Sequence, residues 1–152
     1  MAELIVSVDV RAPADEVWAR LVDWPSHRSW MLLTDVRPVT VARAGVGSAI
    51  EAVTKLGPLR LRDPMTVTQW HAPPAVPARC VVDHTGAVVR GSGAFEVEAV
   101  AAGTSRVTWS EWVVVPFGLA GEVGWAVVVR PLLRVGLAIS LRRLARQAES
   151  QR

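Results

Sequence analysis

The chain has 152 residues, the size of one domain that can bury its own hydrophobic core, and we take residues 1–152 as a single domain. Its net charge of +3 is small and spread along the chain, which argues against a nucleic-acid-binding protein. The single cysteine, Cys80, excludes an internal disulfide and indicates a reducing compartment, so we predict a cytoplasmic location.

The N-terminal part of the chain predicts one strand followed by two short helices. Residues 3–10 alternate polar and apolar side chains in part, as a strand does, and they do not have the pattern of a signal peptide. Residues 12–16 (Ala-Pro-Ala-Asp-Glu) start a helix, because proline suits the first turn and carboxylates favour the positive end of the helix dipole. Pro25 ends this helix, and residues 26–32 predict the second one.

From residue 35 onward the pattern changes to a period of two, which predicts six successive strands. The short turns between them predict an antiparallel meander. Gly91 and Gly93 predict strong bending of one strand, and Pro64 predicts a bulge or an edge position in another. The predicted strands are residues 36–43, 48–56, 59–70, 78–85, 88–100 and 105–115.

The C-terminal residues predict a long amphipathic helix over residues 131–149, after a glycine-rich loop at residues 117–124. Arginines form a separate stripe on this helix. Residues 112–141 are the most apolar window, but glutamate and arginine interrupt it before the ~18 uncharged residues of a spanning helix, so we predict no membrane span. The residues predicted to share the apolar face are Leu133, Leu137, Leu141, Leu144 and Ala148.

The order of elements and two sequence patterns resemble the START-like (SRPBCC) superfamily, which includes Bet v 1-like proteins and the polyketide cyclase/dehydrase family. The first pattern, in residues 8–25, is an apolar strand followed by Ala-Pro-Ala-Asp-Glu-Val-Trp and then Trp-Pro. The second is Gly-Thr-Ser-Arg-Val-Thr-Trp at residues 103–109, followed by a proline-glycine loop and a helix containing Leu-Arg-Arg-Leu-Ala. The resemblance covers essentially the whole chain. It implies an α+β helix-grip fold, in which a curved antiparallel sheet of about seven strands wraps around the C-terminal helix.

This resemblance implies a pocket rather than one activity, because the superfamily has no universal catalytic motif. The first hypothesis is a binding protein that holds a hydrophobic or amphipathic small molecule (a lipid, fatty acid or polyketide-like compound) between the sheet and the helix. The second is an enzyme of the polyketide cyclase/dehydratase type that uses Glu111 and His84 for proton transfer. The third is a protein-interaction module. We expect a monomer or homodimer without a cofactor.

Strand alternation predicts which side chains face the helix. Trp109 and Glu111 are placed inward on the last strand, where Glu111 is either an acid, base or ligand anchor, or the partner of an arginine from the long helix. His84 shares a face with Cys80 and Val82, and it is either a proton-transfer group or a rim residue bonded to a backbone carbonyl. Cys80 is interpreted as a small buried apolar residue.

Seven tryptophans in a chain of this size predict either a lined pocket or a core filled by large rings. Trp125 is placed in a loop that covers the pocket mouth, and His27 at that mouth. The histidines and the cysteine show no metal-ligand spacing, so we expect no metal site. The predicted ligand-binding residues are Trp30, Trp70, Cys80, Val82, His84, Phe95, Trp109, Glu111, Trp125, Leu133 and Leu137.

Overall fold

A computed structural model describes residues 2–151 and shows seven strands, with helices after the first strand and at the C-terminal end. The strands are β1 (Ala2–Val10), β2 (Thr34–Pro38), β3 (Ala49–Leu56), β4 (Leu59–His71), β5 (Ala78–His84), β6 (Gly91–Ala101) and β7 (Thr104–Val113). The helical elements are α1 (Ala14–Leu21), a 3₁₀ helix (Trp24–Ser29), α2 (Gly118–Gly124), a π-helical turn (Trp125–Val129) and α3 (Arg130–Ser150).

The strands form one antiparallel sheet in the order β1-β7-β6-β5-β4-β3-β2. The meander from β2 to β7 and the pairing of β1 with β7 confirm the predicted helix-grip arrangement. Pro64 is not at a bulge: the register of β4 shifts between Val67 and Gln69, whereas Pro64 pairs regularly with Glu51. Proline is tolerated there because it lies at the end of the β4–β5 ladder, and its carbonyl accepts a hydrogen bond from the backbone N–H of Thr85 at 2.8 Å.

The C-terminal helical segment is longer than predicted, since residues 118–150 are helical without a break. At about 1.5 Å per residue the segment is about 50 Å long. The prediction of a loop at residues 117–124 is wrong, because its glycines lie in the first turns of a helix. A Cβ atom at Gly121 would lie 1.7 Å from the carbonyl oxygen of Pro116, and Gly118 has a φ of +55°, so glycine lets the chain turn tightly into the helix.

α3 packs against the domain from Gly136 to its C-terminal end, where Leu137 and Ala138 are partly buried. Its buried side chains are Ser140, Leu141, Leu144, Ala145 and Ala148. Hydrogen bonds hold this part in place: the backbone N–H of Leu32 donates to Ser140 Oγ at 2.9 Å, and Gln147 Nε2 donates to the carbonyl of Ser29 at 3.0 Å. The start of α3, residues 131–135, is exposed, and it includes Leu133, for which the amphipathic pattern predicts an inward position.

An aromatic cluster forms the centre of the core between the sheet and the helices. Trp18 packs against Trp70 and Phe95, with ring centroids 5.3 and 5.7 Å apart, and Phe95 packs against Trp109 at 5.6 Å. Trp30 contacts Trp109 at 6.4 Å and is 1% exposed. Several tryptophans therefore fill core, as one of the two interpretations of their number predicts. Trp109 and Trp70 are only partly buried at the rim of this core.

Candidate functional site

Three polar side chains from separate strands meet on the inner face of the sheet. Nδ1 of His84 lies 2.9 Å from both carboxylate oxygens of Asp63, and Nε2 of His84 lies 3.0 Å from Oε2 of Glu111. The His84 side chain is only 5% exposed, whereas those of Asp63 and Glu111 are 17% and 22% exposed. The imidazole is thus enclosed between two carboxylates that both reach solvent. We call these three residues the carboxylate–histidine cluster.

The sheet register brings this cluster together. His84, at the end of β5, pairs with Met65 of β4 on one side and with Gly91 of β6 on the other. Glu111 of β7 pairs with Gly93 of β6, and Gly93 in turn pairs with Val82 of β5. Residues paired in this way share one face of the sheet, so His84 and Glu111 project from neighbouring rows of the same inner surface.

Gly93 provides the space into which the Glu111 carboxylate fits. A Cβ atom at Gly93 would lie 2.9 Å from Oε2 and 3.0 Å from Oε1 of Glu111. Both distances are shorter than ordinary van der Waals contact, so any larger residue would displace the carboxylate. The glycine that suggested strand bending therefore also permits the contact between Glu111 and His84.

Trp109 fixes the second oxygen of Glu111. Its Nε1 donates a hydrogen bond to Oε1 of Glu111 at 2.8 Å. Glu111 follows Trp109 by two residues, on the same face of β7. Each carboxylate oxygen of Glu111 thus has one donor, and its remaining lone pairs are free for a ligand. The predicted inward position of Glu111 is consistent with these contacts, but its ionic partner is His84 and not an arginine of the long helix.

Electrostatics fix the protonation state of His84. Burial disfavours the imidazolium and would lower the pKa, but hydrogen bonds from the ring to Asp63 and Glu111, together with their negative charges, outweigh it and raise the pKa to about 10. His84 is therefore protonated at neutral pH and donates one N–H to each carboxylate. It does not bond to a backbone carbonyl, which was the rim alternative, and it is not a free base.

Apolar side chains surround the carboxylate–histidine cluster. Met65, Val82 and Leu137 are partly buried and pack against the core, as does Trp109. Val82 pairs with Val67, and Met65 with His84, so these apolar residues lie directly beside the cluster on β4 and β5. The carboxylate–histidine cluster thus lies at the edge of a partly buried apolar surface.

Comparison with known proteins identifies the family. Residues 1–149 match the family described as polyketide cyclase/dehydrase and lipid transport. The chain belongs to this family. No curated protein sequence matches the chain.

Solved structures of distant relatives support the same fold. A Thermus thermophilus protein is 14% identical with a TM-score of 0.78, and the alignment covers 99% of each chain. The two-domain aromatase/cyclase BexL is 20% identical with a TM-score of 0.75, over 98% of this chain and 47% of its own. The Zhui aromatase/cyclase of a Streptomyces species is 18% identical with a TM-score of 0.61, over 97% of this chain and 88% of its own. At these identities the similarity establishes the fold.

The predicted site residues of this polyketide cyclase/dehydrase family member lie in several different environments. His84, Glu111, Trp109 and Val82 lie at or beside the carboxylate–histidine cluster, and Leu137 of α3 is partly buried against the core. Trp70 is partly buried at the rim of the core. Residues in the core itself are Trp30, Phe95 and Cys80.

Cys80 is the small buried residue that the sequence predicts. It is 1% exposed, and burial raises the pKa of its thiol to about 12. The assignment of His27 to the pocket mouth is wrong, because this residue is 2% exposed and its Nε2 donates to the carbonyl of Leu21 at 2.7 Å. The sequence analysis does not predict Asp63 as a site residue. The only indication in the sequence is its position beside Pro64, on the strand that pairs with β5.

Trp125 is placed in a surface cleft at the edge of the domain. It belongs to the helical segment rather than to a loop, and it lines a surface cleft of about 590 Å³ with Glu122 and Arg130, beside the start of β1. A second cleft of about 490 Å³ lies between α1 and the end of α3. Within residues 2–151, no group of three or more histidine, cysteine, aspartate or glutamate residues has a geometry suited to a metal ion.

Proposed function

We propose that this protein binds an amphipathic small molecule, polyketide-like or lipid-like, whose hydroxyl groups donate hydrogen bonds to Glu111 and Asp63. The observation that carries the proposal is the pair of carboxylates that His84 holds at the edge of a partly buried apolar surface. The apolar part of the ligand would pack against Met65, Val82 and neighbouring side chains.

The charge of the cluster narrows the class of ligand. Two carboxylates and one imidazolium give a net charge of −1, and an ionised carboxylate accepts hydrogen bonds but donates none. Phenols, enols and alcohols are donors and fit this site. A fatty acid anion is repelled by it, so hydroxylated ligands are favoured over fatty acids.

Trp30 supports a ligand that also carries an acceptor. Its indole Nε1 is buried and has no hydrogen-bond partner among residues 2–151. Trp30 packs on Trp109, whose own Nε1 binds Glu111. A ligand that reaches past Trp109 with a carbonyl or hydroxyl oxygen would satisfy this donor, which otherwise costs stability.

The test is a calorimetric binding titration with two ligands, a hydroxylated naphthalene and a fatty acid of similar length. We expect the naphthol to bind and Glu111→Gln to weaken it by about fivefold to tenfold, because one charged acceptor is lost. Glu98→Gln is the matched control, since Glu98 is exposed on the outer face of β6, and it should leave binding unchanged. Equal binding by the two variants, or binding of the fatty acid alone, would contradict the proposal.

The second candidate function is an aldol cyclisation of a poly-β-ketone, favoured by the position of Glu111. Because His84 is protonated and fully paired, the base in this reaction would be the Glu111 carboxylate. Glu111 would take a proton from a methylene between two carbonyls, the carbanion would form a carbon–carbon bond to a ketone carbon of the same chain, and the proton would return to the new alkoxide. His84 would hold the Glu111 carboxylate in position before the proton is taken up and after it is returned.

An assay of the cyclisation of a soluble poly-β-ketone thioester distinguishes an enzyme of this type from a binding protein. An enzyme should lose most of its activity in Glu111→Gln, while Glu98→Gln retains it. If the wild-type protein binds the thioester without accelerating its cyclisation, the binding function stands alone. The cytoplasmic location and the choice between monomer and homodimer stay predictions.

A further inference from the structure

We propose that the exposed helical segment of residues 117–135 inserts into the surface of a lipid bilayer that contains anionic lipids. Large apolar side chains along this segment are open to solvent: Phe117 is 86% exposed, Leu119 76%, Val127 69% and Leu132 69%. The segment is about 27 Å long over residues 118–135 at 1.5 Å per residue. An apolar surface of this extent on a protein marks an interaction site.

Exposed apolar residues are not confined to one face of the helix. Val127, Val128 and Val129 are consecutive, 69%, 54% and 42% exposed, and successive helical residues are roughly 100° apart. One protein partner in a groove covers one face of a helix. A helix with exposed apolar side chains on more than one face matches surroundings that are apolar on more than one side, and the acyl region of a bilayer provides them.

The burial of this helix separates it from an ordinary core helix. The segment of residues 118–150 meets the length and composition of a membrane-crossing helix, with a mean hydropathy of 1.5 over an 18-residue window. Only 6% of that window is buried, whereas the core helix of a globular protein is mostly buried. The C-terminal half stays anchored on the domain through Leu141 and Leu144, so we infer peripheral insertion rather than a span.

The charges on the helix favour anionic lipids. Arg130 and Arg134 lie one turn apart within the apolar segment, and three further arginines follow in the anchored half. Arg134 donates one hydrogen bond from Nη1 to the carbonyl of Ile5 at 3.3 Å, which leaves its other N–H groups for a phosphate. Glu122 is the only acidic residue of the apolar segment. Arginine side chains extend from an apolar surface to lipid phosphates, so this pattern supports attachment to an anionic surface. Phe117 and Trp125 add aromatic rings of the kind found at the membrane interface.

Flotation with lipid vesicles tests the proposal on the full-length protein. Vesicles of phosphatidylcholine with roughly 30 mol% phosphatidylglycerol should carry the protein upward, and pure phosphatidylcholine vesicles should carry about tenfold less. The double variant Leu119→Glu/Leu132→Glu should reduce flotation at least about tenfold, since two leucines that would insert among the acyl chains become charges.

The matched control is Val41→Glu/Val76→Glu. These residues are 100% and 83% exposed outside the helix, so the control introduces the same charge without touching the segment. Flotation of the control should stay within about twofold of wild type. Absence of flotation, or equal flotation of both double variants, overturns the proposal.

Analytical ultracentrifugation without lipid tests the alternative that a second copy of the chain covers the helix. Three results together would contradict the proposal: the wild-type protein dimerises, Leu119→Glu/Leu132→Glu dissociates the dimer, and no protein floats. In that case a second copy of the chain covers the helix. The outcome is independent of the proposed ligand site. Glu111→Gln should bind vesicles like the wild type, so failure of one proposal leaves the other standing.

Discussion

Nε2 of His84 lies 3.0 Å from Oε2 of Glu111, although the two residues are 27 positions apart on β5 and β7. The strand between them contributes Gly93, and the absent side chain lets the carboxylate reach across. On its other side, the imidazole meets Asp63. The cluster therefore joins the two halves of the sheet, and its protonation state affects both stability and ligand binding.

We predict that alkaline pH destabilises the protein through His84. The folded pKa of about 10 lies above the ordinary value of 6.5, so the imidazolium stabilises the fold fully below about pH 6.5, and this contribution is lost as the pH rises through about 10. The full shift corresponds to roughly 5 kcal/mol. We expect a loss of roughly 2–3 kcal/mol, because solvent screens the partly exposed carboxylates.

Urea unfolding at pH 7 and at pH 10 measures this loss. His84→Gln should be less stable than wild type at pH 7 and should lack most of the decline between the two pH values. His71→Gln is the control, since His71 is exposed at the end of β4. A wild-type protein that is equally stable at both pH values would exclude a charged His84.

We predict that Gly93→Ala disrupts the carboxylate–histidine cluster. The new methyl group would meet both carboxylate oxygens of Glu111 at about 3 Å and push them away from His84. The free energy of unfolding should fall by about 1–3 kcal/mol, and the pKa of His84 should fall with it.

The His84 pKa is measured from the imidazole signals in an NMR titration. Ser92→Ala is the control, because Ser92 is the neighbouring position on the opposite face of β6. An unchanged His84 titration in Gly93→Ala would show that the close packing of Glu111 over Gly93 does not hold the cluster.

We predict that acid destabilises the protein through a different histidine, His27. Burial lowers its pKa to about 4, against the smaller opposing effects of the bond to the Leu21 carbonyl and the charge of Asp23. Neutral His27 therefore stabilises the fold above about pH 6.5, and this contribution is lost as the pH falls through about 4. His27→Gln should flatten thermal stability between pH 6.5 and 4, whereas His71→Gln should not, and an equal slope in both variants would contradict the assignment.

We predict that the Cys80 thiol does not react in the folded protein. Its pKa of about 12 leaves almost no thiolate at neutral pH, and the side chain is inaccessible. A chromogenic disulfide reagent at pH 8 should modify it only at the rate of unfolding, and urea should release one reactive thiol. Rapid modification without urea would show that reagents reach the core beside Phe95, which pairs with Cys80.

The sequence predicts the architecture well because each strand carries its own alternation and each turn its own glycine or proline. The start of the C-terminal helix is missed for a local reason, since Gly118 and Gly121 give the same signal in a loop and in a tight helix entry. His84 and Glu111 emerge from alternation alone. Asp63 does not, because its contact depends on the register of β4 against β5, which no single segment encodes.

The placement of Trp109 gives the protein a built-in optical reporter. Its ring packs on Phe95 and Trp30, while its N–H binds the same carboxylate that a ligand would approach. Any molecule that competes for Oε1 of Glu111 would alter the polarity felt by this indole and shift its emission. Occupancy can therefore be followed without a label, and Trp109→Phe gives the signal of the other tryptophans as the reference.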